Sequence, residues 1–245
     1  MAEKIGTLVA AGIAKRFGAV LAVDNVDFML KGDEAVGVVG PNGAGKTSLL
    51  NLLAGAYRPS AGTVVFCGAN ITGLDAADRC RLGIARSHQI PRPFGGMNVF
   101  ENTYVAASAG GGRQGDAAYQ SCIESLELCG MLRLANRQAE TLALLDRKRL
   151  ELARALATNP KVLLLDEIGG GLTDAEASEL VQIIKQLHQR GIAIVWIEHI
   201  VHVLVQVVQR LVCMDAGRII ADGAPDEVMA NAAVIDAYLG SAASA

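Results

Sequence analysis

No apolar run in this sequence is long enough to cross a bilayer. The most apolar stretch, HIVHVLVQVVQRLVCM, is broken by His202, Gln206, Gln209 and Arg210. The opening MAEKIGTLVAAGIAKRF has no long apolar segment ahead of a cleavage site, so no signal peptide is expected. Cysteines at 67, 80, 122, 129 and 213 are odd in number and never spaced C-x-x-C. That pattern argues against a disulfide framework or a zinc site and for reduced thiols in a cytosolic protein. There is no basic excess either: 22 Lys and Arg stand against 25 Asp and Glu, so a nucleic-acid partner is not expected. A chain of 245 residues forms one large domain, or a core with a subdomain, and can bury a sizeable core. It is expected to be soluble, with any membrane association supplied by a partner.

What the chain does contain begins with EAVGVVGPNGAGKTSLLNLLAG. Residues 34–39 are β-branched or small and apolar, as in a buried strand. They lead into Gly40, Pro41, Asn42, Gly43, Ala44, Gly45, Lys46, Thr47 and Ser48, which fit G-x-x-x-x-G-K-[ST]. Leu49, Leu50, Leu52 and Leu53 follow at helical spacing. In such a strand–loop–helix, glycines let backbone N–H groups converge on phosphate oxygens, and the helix N-terminus adds its positive end. Lys46 is expected to reach the β- and γ-phosphates, and Thr47 to offer a hydroxyl to Mg²⁺. The plainer alternative is a glycine-rich turn.

A second signal lies in NPKVLLLDEIGGGLTDAEASELVQIIKQLHQRG. Val162 to Leu165 form a short apolar strand that ends in Asp166 and Glu167. Beside a P-loop, Asp166 would hold the Mg²⁺ shell and Glu167 would orient or deprotonate the attacking water. Otherwise the two carboxylates simply start a solvated loop. Thr173 with Glu176 fits a capping box, Leu180, Ile183, Ile184 and Leu187 form an apolar stripe, and Gly191 closes that helix. A third strand, GIAIVWIEH, delivers His199 just past its end, on the ligand side of an open parallel sheet. His199 could contact a γ-phosphate, or form a metal pair with His202. His188 reads as part of a solvated helix face.

Together these elements resemble the nucleotide-binding subunits of ABC transporters, over nearly the whole chain. AKRFGAVLAVDNVDF looks like the family's opening, which implies that Phe17 stacks on adenine; a core aromatic is the alternative. ARSHQIPRPFGGMNVFEN is similar to the Q-loop, which implies that Gln89 reaches the Mg²⁺ and the water. Two prolines after Gln89 bar a regular helix and suit a hinge. The resemblance implies an α/β fold: a P-loop NTPase ABC cassette with a RecA-like core, an antiparallel β subdomain around GTVVFCGANIT and an inserted helical subdomain. The core is expected over about 1–88 and 160–245, and the helical subdomain over about 89–159. Within the latter, SAGGGRQGD reads as a flexible loop between helices. RLVCMDAGRIIADG reads as a hairpin, followed by a short terminal helix.

The family's signature motif, written LSGGQ, belongs just before RKRLELARAL. Here the place reads Leu142, Ala143, Leu144, Leu145 and Asp146. In the family, the serine hydroxyl and glycine N–H groups grip a γ-phosphate held by the other subunit's P-loop. Ala143 has no hydroxyl, Leu145 adds bulk where close backbone approach is needed, and Asp146 brings a carboxylate toward a triphosphate. Arg147, Lys148 and Arg149 either compensate that charge or form a solvated basic face. Ile168 also departs from the family, standing in place of a proline, as does Thr173 in place of the D-loop aspartate.

HQIPRPFGGMNVFEN, RLELARALATNPKVLLLDE and DEVMANAAVIDAYLG look most like the branched-chain amino acid uptake group. The resemblance thus implies an ATP-binding and hydrolysing subunit of an importer, with ATP and Mg²⁺ as cofactors. It would lie in the cytoplasm on the inner face of the membrane, against permease subunits and, indirectly, a periplasmic solute-binding protein. Its second ATP-binding subunit is expected to be a different chain carrying an intact signature, a homodimer being the other possibility. Two alternatives stay open: a regulatory subunit with weak or no hydrolysis, and a non-transport ABC ATPase. The latter usually adds a second cassette or long coiled-coil or basic segments that this chain lacks, and no guanine-reading N-K-x-D is present.

Overall fold

The computed structural model describes residues 7–242. The chain divides into two compact units: one made from residues up to Ala76 and again from Ala193, the other Ala77–Ile192.

The first unit opens with β1 (Leu8–Phe17), β2 (Val20–Leu30), β3 (Ala35–Val39), α1 (Lys46–Ala54), β4 (Ala61–Phe66) and β5 (Ala69–Asn70). The chain then builds the second unit from α2 (Ala76–Leu82), β6 (Ile84–Arg86), α3 (Val99–Val105), α4 (Gly115–Leu128), α5 (Leu144–Ala157), β7 (Val162–Asp166) and α6 (Asp174–Gln189). It returns to the first with β8 (Ala193–Ile197), α7 (Val201–Leu204), β9 (Arg210–Asp215), β10 (Arg218–Gly223), α8 (Pro225–Met229) and α9 (Ala232–Ala242).

Two strand systems organise the first unit. One is antiparallel, in the order β2-β1-β4-β5, and contains the GTVVFCGANIT segment. In the other, β3 lies between β8 and β9 and is parallel to both, which makes it a central strand. All five residues of β3 are buried, as a strand with parallel neighbours on both edges requires. Gly37 leaves room for Leu211, whose Cδ1 would lie 2.8 Å from an added Cβ. Trp196 on β8 is 1 % exposed and is the largest fully buried side chain. The expected hairpin forms from β9 and β10, with positive φ at both Ala216 (45°) and Gly217 (81°), the backbone that a two-residue turn between right-twisted strands demands. Beyond it the terminal helix is two helices, α8 and α9.

In the second unit β6 and β7 pair in parallel, Ile84 opposite Val162 and Arg86 opposite Leu164. Helix α6 begins in the expected capping box, Thr173 and Glu176 each accepting from the other's backbone, and ends at Gly191 with φ 86°. Leu180, Ile183, Ile184 and Leu187 are all buried.

Sequence and structure differ at three places here. The first is SAGGGRQGD, expected to be a flexible loop. Its front half is a π-helical continuation of α3, Ala106–Gly110, and Gly110 and Gly111 are packed closely. A Cβ on Gly110 would meet the Thr158 side chain at 2.8 Å, and one on Gly111 the Ala107 carbonyl at 2.7 Å. These glycines serve contact with the end of α5, and only Gly112 and Gly115, at φ 64° and 53°, make the turn. The second is His188, which is half-buried, with Nδ1 3.4 Å from the Ile192 carbonyl, rather than solvated. The third is the basic run 147–149, where only the solvated-face alternative fails. Arg147 donates to the carbonyls of Leu142 and Glu140 at 2.8 Å, Lys148 is buried, and Arg149 pairs with Asp146 and Glu179. That run is no solvated face; it ties the entrance of α5 to its surroundings.

Arg210 gathers much of the first unit's polar order. Its guanidinium bonds Glu34 Oε1 at 2.7 Å, both Asp222 oxygens at 2.8 Å, and the Met29 carbonyl. Burial alone raises Glu34, yet bonds from Arg210 and Lys31 outweigh it and hold the carboxyl below its ordinary value. An acid with a depressed folded pKa adds stability above its unfolded pKa and loses it as pH falls through the folded one. Arg210→Lys keeps the charge and loses the planar fork. It should lower the thermal midpoint by several degrees at pH 7 and flatten the acid limb of the midpoint–pH profile below about pH 4.5, measured by calorimetry.

Candidate functional site

The glycine-rich loop leaves the carboxyl end of β3 and enters α1 at Lys46. Two glycines in it admit no other residue. Gly40 has φ 142°, and a Cβ there would lie 2.1 Å from the Met214 carbonyl oxygen; Gly45 has φ 99°, with the Ala22 carbonyl oxygen at 2.4 Å. The loop is also sewn to the β9–β10 turn, Gly217 N–H donating to the Ala44 carbonyl at 3.0 Å. Lys46 is 5 % exposed and folds back on its own loop, Nζ donating to the carbonyls of Gly40 (2.8 Å) and Pro41 (2.9 Å). By contrast Gly43 (φ 80°) faces nothing within 4 Å, and Asn42 and Thr47 are exposed. The loop is therefore anchored at both ends and open in the middle, above a helix N-terminus. That arrangement fits a polyphosphate: N–H groups, a movable ammonium and a hydroxyl converge where no side chain blocks approach.

His199 follows the carboxyl end of β8, which pairs with β3 from Ala35 opposite Ile194 to Val38 opposite Ile197. It is exposed, and register brings it out at the same strand ends as the loop. Its neighbour Glu198 is buried and accepts from the Trp196 indole at 3.3 Å. No third ligand joins His199 and His202 among the described residues, so a metal pair there has no support. Phe17 is 43 % exposed at the end of β1, which removes the core-aromatic alternative. Its ring meets Tyr57 edge-on at 5.2 Å, and Lys15 Nζ lies 5.1 Å from its centroid. Tyr57 carried no motif in the sequence; only its place just past α1 brings it to Phe17.

In the second unit, the parallel register of β6 and β7 carries the chain past Arg86 alongside the two carboxylates. Arg86 pairs with Asp166 Oδ2 at 2.8 Å, and Gln89 Nε2 donates to Glu167 Oε2 at 2.5 Å. Asp166 is 2 % exposed, so a cationic partner is what a carboxylate this deep requires. Glu167 sits in the left-handed region at φ 46°, a strained backbone of the kind that functional turns retain.

At the altered signature, Leu142 is buried and Ala143 is the N-cap of α5 with no side-chain cap bond. Leu144 is 44 % exposed and leans on the loop after Glu167, its Cδ2 3.2 Å from where a Gly171 Cβ would stand. Asp146 is partly neutralised by Arg149 at 3.5 Å. The charge on Arg147 and Arg149 is already engaged within the chain.

One feature of α5 carried no signal in the sequence. Glu151 and Arg154 pair at 2.9 Å, and both clasp the segment around Gln89. Glu151 accepts the His88 N–H at 3.3 Å; Arg154 donates to the Arg92 carbonyl at 2.8 Å and stacks on Phe94, 4.8 Å from its centroid.

The family model described as ABC transporter matches residues 23–169, and that described as branched-chain amino acid ATP-binding cassette transporter matches 218–244. The high-affinity branched-chain amino acid transport ATP-binding protein LivG of Salmonella typhimurium is 37% identical over 250 residues, covering 96% of this chain and 98% of its own. BraF of Pseudomonas aeruginosa, described in the same words, is 34% identical with the same coverage. A crystal structure of the ADP conformation of an ATP-binding cassette of an ABC transporter superposes with a TM-score of 0.88 at 27% identity, covering 96% of this chain and 99% of that one. The chain belongs to the ABC transporter family, as a nucleotide-binding ATPase cassette. No helix among the described residues is long and apolar enough to cross a membrane.

Arg154→Gln tests the clasp. Leaving buried Glu151 without its cation should destabilise the chain by about 3 kcal/mol and lower the thermal midpoint by roughly 6–12 °C. Amide exchange over residues 88–94 should quicken; unchanged exchange there would show that α5 does not hold the segment.

Proposed function

We propose that this chain is the ATP-binding and hydrolysing subunit of an importer for branched-chain amino acids or related small solutes. It would work in the cytoplasm against membrane permease subunits fed by a periplasmic solute-binding protein. The observation that carries the ATP reading is the loop 40–48, anchored at Gly40 and Gly45 and open at Gly43. The choice of solute class rests on the match over residues 218–244 and on the names of the relatives.

In this reading the loop N–H groups, Lys46 and Ser48 bind the phosphates, Phe17 stacks on the base, and His199 senses the γ-phosphate. Glu167 orients and deprotonates water, with Gln89 holding the Glu167 carboxylate until nucleotide enters. Thr47, Gln89 and Asp166 would hold Mg²⁺, which supplies charge neutralisation to the phosphates when bound. The permease would dock on the segment 89–105. There a cavity of about 550 Å³ is lined by Met97, Phe100, Tyr104 and Val105, and Ile90 and Phe94 are exposed nearby in sequence. The Glu151–Arg154 clasp then links that surface to Gln89, so a change at Gln89 reaches α5 and the permease together.

Hydrolysis at this chain's loop depends on the signature facing it. We favour a heterodimer in which a different subunit supplies an intact signature, leaving the site that faces Ala143–Asp146 impaired. The same substitutions favour a second reading, a regulatory subunit that binds ATP without turnover. The deciding measurement is steady-state ATPase activity of the purified chain with Glu167→Gln as control. The chain alone should bind MgATP and not turn over. Restoring the motif with Ala143→Ser, Leu144→Gly, Leu145→Gly and Asp146→Gln should bring turnover roughly tenfold or more above the Glu167→Gln background. Turnover by the unaltered chain, abolished by Glu167→Gln, would refute the impaired signature; silence even with an intact partner would favour the regulatory reading.

A further inference from the structure

The family's phosphate loop is held here by a residue far away in sequence. Gly40 is buried, and its peptide is gripped from two sides: its carbonyl accepts from Lys46, and its N–H donates to the Tyr238 hydroxyl at 2.9 Å. Tyr238 reaches it because Val234, one turn earlier on α9, is 1 % exposed and seats the same helix face. Elsewhere α9 stands off from the loop. A cavity of about 570 Å³ lies between them, lined by Pro41, Asn42, Asp215, Ala233, Asp236 and Ala237. Packing does not prop Pro41 and Asn42 from that side, and the phenol is the link from helix to loop. Burial raises the phenol above its ordinary pKa, so it stays a neutral acceptor.

We propose that Tyr238 is a positioning residue for nucleotide binding: it fixes the Gly40 peptide so that the loop keeps its shape when Lys46 leaves the carbonyls of Gly40 and Pro41 for phosphate. This rests on the reading of residues 40–48 as the ATP site. Without the hydroxyl, a buried N–H loses its partner and the open loop gains conformations that nucleotide binding must remove.

The test is calorimetric titration of the full chain with MgATP and MgADP, comparing Tyr238→Phe with the exposed-site control Leu239→Ala. The phenylalanine variant should bind both nucleotides roughly tenfold more weakly, with the thermal midpoint before nucleotide is added lowered by only a few degrees, the cost of one unpaired N–H. In an assembly that turns over, KM should rise while kcat is retained. The Gly40 amide should exchange slowly in the unaltered chain and fast in the variant, while Leu239→Ala changes neither. Equal affinity in the two proteins overturns the proposal and leaves the ATP reading standing; no MgATP binding by the unaltered chain overturns both. Fast Gly40 exchange in the unaltered chain overturns the proposal without any variant, should Tyr238→Phe not fold.

Discussion

The first unit depends on what happens to the backbone as it leaves β3. A central parallel strand must end by placing its next peptide somewhere, and here the Met214 carbonyl occupies the space any Cβ at Gly40 would need. With φ 142° at that residue, the chain turns sharply and delivers Lys46 and α1 under the loop. Gly45 repeats the constraint against Ala22 on β2, so both ends of the loop are fixed by backbone atoms, which yield less than side chains do. The middle stays open. Such a loop receives a ligand with little reorganisation, apart from moving the Lys46 ammonium off two carbonyls.

The second unit achieves order differently, through charge placed where it cannot be left alone. Asp166 and Glu151 are 2 % and 6 % exposed, and each has an arginine within 3 Å. Buried pairs of this kind contribute little net stability compared with apolar packing, but they permit few alternative arrangements. The β6–β7 register, the segment after it and α5 are thereby fixed relative to one another by Arg86 and Arg154. Gln89 lies on that segment, bonded to Glu167. The segment that carries Gln89 is clasped to α5 at His88, Arg92 and Phe94, which leaves it few ways to move independently of that helix.

Much of this could be read from the chain beforehand, for a physical reason. The loop 40–48, the carboxylates at the end of β7, the capping box at Thr173 and the β9–β10 hairpin are all local: residues within a few positions make the structure. Gln89 and Phe17 stood out only through resemblance, because one glutamine or one phenylalanine carries no periodicity. Tyr238, Arg86 and the Glu151–Arg154 clasp were invisible, their partners lying 198, 80, 63 and 62 residues away. The glycine run near residue 110 misled because glycine serves flexibility and close packing alike. Only the Thr158 and Ala107 atoms beside it decide between the two.

The altered signature is where those local and distant effects meet. Its helix survives without the capping hydroxyl, since Arg147 reaches back to the carbonyls of Glu140 and Leu142 and Leu142 is buried beneath them. Those contacts hold the entrance of α5 in place of a capping side chain. They also engage the cations that the sequence offered as substitutes for a lost phosphate grip. With Asp146 partly neutralised by Arg149, and Leu144 exposed against Gly171, the surface presents apolar bulk where the family has a hydroxyl and glycines. Such a face lacks the hydroxyl and the close backbone approach of the family's motif, whereas the loop 40–48 of the same chain is open at Gly43 above a helix N-terminus. The features that suit phosphate and those that depart from the family's signature thus lie in different parts of one chain, residues 40–48 and residues 142–146.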